Sequence, residues 1–200
     1  MKRVIIIHCW EGYPEYCWYQ RTKKELEAKG FKVDVPLMPN TDNPQLSEWL
    51  PHLKKIIGKP DENLYLIGHS LGNPTIFRYL ETLRDTETIG GAVLVAGYSD
   101  DLGFKELSNF FRTPINFKNI KKHCKKFVAI HSDNDPYVSL SYGEEIKNKL
   151  GAELIIKHNM GHFSGAIESE KSCTSLPDVA KSLFKISKNS VFKPLKKIKA

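Results

Sequence analysis

Residues 66–73 read LIGHSLGN, which sets Ser70 between Gly68 and Gly72 in a G-x-S-x-G frame. A short apolar run, residues 64–67, comes before it. A stripe of Ile76, Phe77, Leu80 and Leu83 comes after it, at spacings of three and four. The order predicts a strand, a sharp turn and a helix, with Ser70 on the turn. Such a turn lifts the serine side chain above the carboxyl edge of a sheet. Small residues two positions to either side let strand and helix approach without collision. The competing reading is a serine that merely caps the helix N-terminus.

Five further apolar, β-branched runs resemble the one before Ser70: residues 4–7, 31–35, 92–96, 127–130 and 154–156. Each is too short for a helix and lacks clean alternation, which predicts parallel strands buried on both faces. Helical patterns lie between them. Leu46, Trp49, Leu50, Leu53, Ile56 and Ile57 share one face and stop at Gly58. Tyr142, Ile146 and Leu150 form a second stripe ending at Gly151, and Val179, Leu183 and Ile186 a third, entered through Pro177. Residues 98–125 are less regular and are expected to hold one or two short helices. The alternation predicts a three-layer α/β/α sandwich around a mainly parallel sheet of about six strands. A single domain is expected over residues 1–186, followed by a lysine-rich tail, 187–200.

A serine hydroxyl becomes a useful nucleophile only beside a base, and the base needs an orienting acid. On this kind of sheet the acid and the histidine follow the serine in that chain order, each on a loop after a later strand. The fifth run is followed by HSDNDPYVS, which offers Asp133 and Asp135. The sixth is followed by KHNMGHFSG, which offers His158 and His162. Asp135 precedes a proline, which biases its backbone to an extended form. His162 follows a glycine that permits a tight turn. These features select Asp135 and His162, with Asp133 and His158 as the alternates. The Leu71 N–H, at the start of the helix, is the expected first oxyanion donor.

His69 is expected to pack or hydrogen bond near the turn. His52 and His123 are expected on helix surfaces, and His8 and His131 at strand ends lining the site. No histidine spacing suggests a metal site, and no cofactor is expected.

Of 200 residues, 40% are hydrophobic and 26% charged, as in a globular chain. A formal charge of +7 is one that nucleic-acid binders share, but residues 185–200 hold six lysines and no acid. The remainder carries 24 Lys+Arg against 23 Asp+Glu. No nucleic-acid partner is therefore expected. No run is long enough to span a bilayer, and the apolar start is too short for a secretion signal. With four cysteines and no C-x-x-C pair, a cytoplasmic protein with free thiols is expected.

The sequence resembles the retinoblastoma-binding protein 9/YdeN-like group of small serine hydrolases. The likeness runs through Trp18-Tyr19 and Lys23-Lys24-Glu25-Leu26-Glu27, Trp49-Leu50-Pro51 and the Ile-Gly-His-Ser turn. It continues through Ala96, Tyr98 and Asp101-Leu102-Gly103, then Asp135-Pro136 and Gly161-His162-Phe163. The resemblance implies an α/β-hydrolase fold without a large lid, and Ser70, Asp135 and His162 as nucleophile, acid and base. In related folds the second oxyanion donor comes from the loop after the first strand. Here that loop is His8-Cys9-Trp10-Glu11-Gly12, with Cys9 where relatives carry glycine, and Trp10 is the candidate. The retinoblastoma partner that the group's name suggests is not carried over, since no L-x-C-x-E motif occurs. The expected activity is hydrolysis of small or medium esters, with an amidase or peptidase, or an interaction module on the same scaffold, as alternatives. Trp10, Trp18 and Phe163, with Tyr13 and Tyr98, are the expected pocket residues.

Overall fold

A computed structural model describes residues 1–165 and 173–188. Six strands occur in it: β1 (Arg3–Ile7), β2 (Lys32–Asp34), β3 (Leu64–His69), β4 (Gly91–Val95), β5 (Phe127–Ser132) and β6 (Glu153–Lys157). Six α-helices connect or flank them: α1 (Tyr19–Glu27), α2 (Leu46–Ile57), α3 (Gly72–Glu81), α4 (Phe117–His123), α5 (Leu140–Leu150) and α6 (Pro177–Lys188). A 3-10 helix, Lys105–Phe110, and α4 occupy the irregular stretch between β4 and β5.

The sheet is parallel throughout, in the order β2-β1-β3-β4-β5-β6. Helices α1 and α6 pack together on one face. Helices α2 to α5 line up on the other, each against the next. The three-layer sandwich is therefore present. Its inner strands β3, β4 and β5 are buried along their whole length. The edge strands differ from the expectation of burial on both faces. β2 exposes Lys32 and Asp34, and β6 exposes Glu153 and Ile156, because no neighbouring strand covers their outer sides.

The chain runs from β1 outward to β2, then returns to place β3 on the other side of β1. This reversal opens a crevice at the carboxyl ends of β1 and β3, the usual place for a ligand on an open parallel sheet. Helix α3 starts so close to β1 that a Cβ on Gly72 would lie 2.3 Å from the Ile7 carbonyl oxygen. Glycine is the one residue that fits there.

Helix α6 continues to Lys188, past the expected domain limit at residue 186. The rest of the lysine-rich tail, 189–200, lies outside the described residues. No helix among the described residues is long and apolar enough to cross a membrane.

Candidate active site

Ser70 follows β3 directly and has φ +51°, a left-handed backbone that is uncommon for a residue with a side chain. Three contacts hold it there. Its N–H donates to the Val95 carbonyl at 3.0 Å, and its own carbonyl accepts from the Asn73 N–H at 2.9 Å. The Asn73 amide also reaches back to the Ser70 carbonyl at 3.1 Å and the Val95 carbonyl at 2.8 Å. The returning Asn73 side chain explains Gly68, where a Cβ would meet Asn73 Oδ1 at 2.5 Å. The two glycines of the frame thus serve different contacts. Gly68 admits a side chain, and Gly72 admits the backbone of β1.

The Ser70 hydroxyl lies 2.9 Å from His162 Nε2. On the far side of the same ring, His162 Nδ1 lies 2.8 and 3.0 Å from the two carboxylate oxygens of Asp135. The Asp135 side chain is 1% exposed and that of His162 is 9%. Asp135 Oδ1 also accepts from the N–H groups of Tyr137 and Val138 at 2.9 and 3.0 Å, which fixes the carboxylate on its turn. Serine, imidazole and carboxylate therefore form one hydrogen-bonded line.

The alternates go elsewhere. Asp133 Oδ2 pairs with His158 Nδ1 at 2.6 Å, with His158 mostly in solvent. Nearby bonds join the loop after β5 to the loop after β6. Asp133 accepts from the Asn159 N–H, Ser132 Oγ from Met160, and Asn134 Oδ1 from Gly161.

A sequence model of the serine hydrolase family matches residues 4–185. The Bacillus subtilis (strain 168) hydrolase YdeN is 34% identical over 179 residues, covering 89% of this chain and 92% of that protein. The Rattus norvegicus serine hydrolase RBBP9 is 31% identical over 149 residues, 73% of this chain and 77% of that one. The chain belongs to the serine hydrolase family.

The crystal structure of the B. subtilis ydeN gene product superposes with a TM-score of 0.87, covering 94% of this chain and all of that one at 33% identity. Est1E from Butyrivibrio proteoclasticus, in a structure with ferulic acid bound, shares the fold at a TM-score of 0.69 and 15% identity. It covers 94% of this chain and 88% of that one. The chain is a hydrolase on the α/β-hydrolase fold.

As in other sites of this architecture, the hydrolase opens at the carboxyl edge of its sheet. A cavity of about 430 Å³ reaches Ser70 and His162, with Trp10, Tyr16, Tyr98, Leu102, Phe104 and Tyr137 among its walls. Trp10 and Tyr98 are among these walls, and Tyr98 is buried. Trp18 and Phe163 do not line the cavity. Both are fully buried, and Trp18 packs against the rings of Tyr19 and His69. Tyr13 is exposed and also lies off the cavity wall, stacked at a tilt on Tyr16. The wall residues missed from sequence are Cys9 and Glu11 after β1, Tyr16, then Leu102, Phe104 and Leu107 after β4, Tyr137 after Asp135 and Ser164 after His162. No periodicity marks such loop residues as pointing inward.

Four histidines besides His162 are buried without reaching the cavity wall. His8 donates from Nδ1 to the Cys9 carbonyl and accepts at Nε2 from the Met38 N–H. His131 is fully buried, and neither ring nitrogen has a hydrogen-bond partner among the described residues. Neither lines the site as expected. His123, expected on a helix surface, is buried beneath α4 and hydrogen bonds to the Glu87 carbonyl. His69 bonds Tyr19 and the His162 backbone, in line with its expected role.

Cys9 also borders the cavity. Burial pushes its thiol up to about 11, so at neutral pH it is a thiol and not a rival nucleophile.

Proposed function

We propose that this hydrolase cleaves esters of small or medium acyl groups through an acyl-enzyme on Ser70. The single observation that carries the reading is the hydrogen-bonded line from Ser70 Oγ through the His162 ring to Asp135.

In this reading His162 Nε2 takes the hydroxyl proton as Ser70 Oγ attacks the ester carbonyl. Asp135 holds the ring with its Nδ1–H toward the carboxylate and stabilises the imidazolium. The tetrahedral intermediate collapses as the imidazolium gives its proton to the leaving alcohol. Water then enters, loses a proton to His162 and attacks the acyl carbon. The carboxylic acid departs and the serine regains its proton. Amides follow the same course more slowly, because an amine leaves less readily.

Leu71 and Trp10 supply the oxyanion donors in this proposal. Leu71 stands directly after Ser70 at the N-cap of α3. For Trp10 the support comes from its neighbours. The Cys9 N–H donates to the Tyr19 hydroxyl, the Glu11 N–H to the Thr41 carbonyl and the Gly12 N–H to the Cys9 carbonyl. Of residues 9–12, Trp10 alone keeps an N–H uncommitted among the described residues. Losing one such donor costs about 3–4 kcal/mol of transition-state stabilisation.

The open cavity and its aromatic and leucine walls suit an apolar acyl group of modest size. The test is rapid-mixing hydrolysis of p-nitrophenyl acetate beside aminoacyl amides. A burst of p-nitrophenol equal to the enzyme concentration, with faster turnover of the ester, supports the reading. Amides cleaved faster than the ester, or undiminished ester turnover by Ser70→Ala, contradict it.

A further inference from the structure

His69 ends β3, immediately before Ser70, and is fully buried. Its Nε2 lies 2.8 Å from the backbone carbonyl of His162, and its Nδ1 lies 2.7 Å from the Tyr19 hydroxyl. The Tyr19 hydroxyl in turn accepts from the Cys9 N–H at 3.1 Å. Four segments meet in this chain of bonds: the loop after β1, the start of α1, the end of β3 and the loop after β6.

One placement of protons satisfies every bond. A carbonyl oxygen only accepts, so His69 Nε2 must carry a hydrogen. Burial, with the neighbouring His162 acting in the same direction, lowers the His69 pKa to about 3. The ring is therefore neutral and Nδ1 has no hydrogen. Tyr19 must donate its O–H to Nδ1, which leaves a lone pair on its oxygen for the Cys9 N–H. Trp18 closes one side of this group, with ring centroids 4.8 Å from Tyr19 and 5.6 Å from His69.

We infer that Tyr19 and His69 are positioning residues that tie the loop carrying Trp10 and the loop carrying His162 to the strand that carries Ser70. This rests on the reading of Ser70, His162 and Trp10 given above. The tie explains why the Cys9 N–H faces the protein interior. It also fixes the backbone of His162 from behind while Asp135 fixes its ring from the side. Neither Tyr19 nor His69 lines the cavity, so both act through other residues.

The test has two independent readouts. The first is long-range proton–nitrogen NMR of the histidine-labelled protein between about pH 5.5 and 8, with His69→Gln used to assign the signal. The expected signal is a neutral ring protonated at Nε2 across the range. A ring protonated at Nδ1, or at both nitrogens, overturns the proton arrangement. The second is steady-state hydrolysis of p-nitrophenyl acetate by Tyr19→Phe, His69→Gln and His69→Leu.

Tyr19→Phe preserves the packing and removes only the hydroxyl. Its kcat is expected to fall about tenfold to a hundredfold, the scale of a misplacement near 1 Å. Its KM should stay within about threefold, the pattern of a lost transition-state interaction. His69→Gln retains an amide donor for the His162 carbonyl, so it should keep more of kcat than His69→Leu. Wild-type kcat in both Tyr19→Phe and His69→Leu overturns the inference. If the wild type itself neither turns over nor shows a burst, the Ser70 reading fails, while the NMR readout still decides the network.

Discussion

Asp133 and His158 pair with each other at 2.6 Å on the protein surface, two residues before Asp135 and four before His162. The same two loops thus carry two acid–histidine pairs, one exposed and one buried against Ser70. Solvent screens such an exposed pair, so it has little energetic weight. Asp133→Asn and His158→Gln are each expected to leave kcat/KM within about twofold of wild type. Asp135→Asn should lower kcat by about 10⁴, the scale seen when an orienting acid is lost from such a triad. Parallel steady-state kinetics on the three variants decides it. A larger loss from Asp133→Asn than from Asp135→Asn would reassign the acid.

Ser70 supplies a prediction about stability. Its left-handed backbone costs roughly 1–2 kcal/mol for a residue with a Cβ, and nothing for glycine. Glycine gives back about 0.5–1 kcal/mol through the freer unfolded chain. Ser70→Gly and Ser70→Ala lose the same hydroxyl, and both should be inactive. In urea titrations Ser70→Gly should nevertheless be the more stable by about 1 kcal/mol. The opposite order would mean that the backbone carries no strain there.

Gly72 makes the reverse case. A methyl group there would sit against the backbone of β1, which has no rotamer to yield. Gly72→Ala should destabilise by about 1–3 kcal/mol or more, and should reduce turnover in the fraction that folds, since the N-cap of α3 and the loop after β1 hold the two oxyanion candidates. Chemical denaturation with a fluorescence readout measures the first effect and an ester assay the second. A wild-type midpoint would contradict the tight approach.

Three buried imidazoles set a pH dependence. Burial lowers the pKa of His8, of His69 to about 3 and of His131 to about 4, from an ordinary value of 6.5. In the unfolded chain each takes up a proton as pH falls through 6.5, while the folded protein does not. Unfolding then binds protons, and stability falls with pH from 6.5 toward about 4. At pH 5.5 the loss is on the order of 1 kcal/mol each for His69 and His131, with His8 acting in the same direction. Urea midpoints at pH 7.5 and 5.5 should differ in that direction. Among the described residues His131 has no hydrogen-bond partner to lose, so His131→Leu should keep the midpoint at pH 7.5 and reduce the drop at 5.5.

The sheet was legible because its strands are short apolar runs separated by helical stripes, and β1, β3, β4 and β5 follow those runs closely. Helix α1 was not legible from periodicity, because its sequence YQRTKKELE buries only Tyr19, Thr22 and Leu26. The chain order that the fold dictates singled out Ser70, Asp135 and His162, and these three side chains lie in one hydrogen-bonded line. The cavity walls were less legible. Phe163 directly follows His162, and Trp18 lies two residues after the wall residue Tyr16, yet both side chains turn into the core, and nothing in local sequence gives that direction. His123 escaped for a similar reason. It follows two exposed lysines, but its ring turns under α4 to the Glu87 carbonyl, a partner 36 residues away.

The central claim is that Ser70 is an activated nucleophile. It is tested most directly by reacting the folded protein with a fluorophosphonate and locating the adduct by mass spectrometry, beside His162→Ala and Ser70→Ala. The account predicts one adduct per chain on Ser70 in the wild type, and none in either variant at the same exposure. An unlabelled wild type, or an adduct on any other residue, would contradict it.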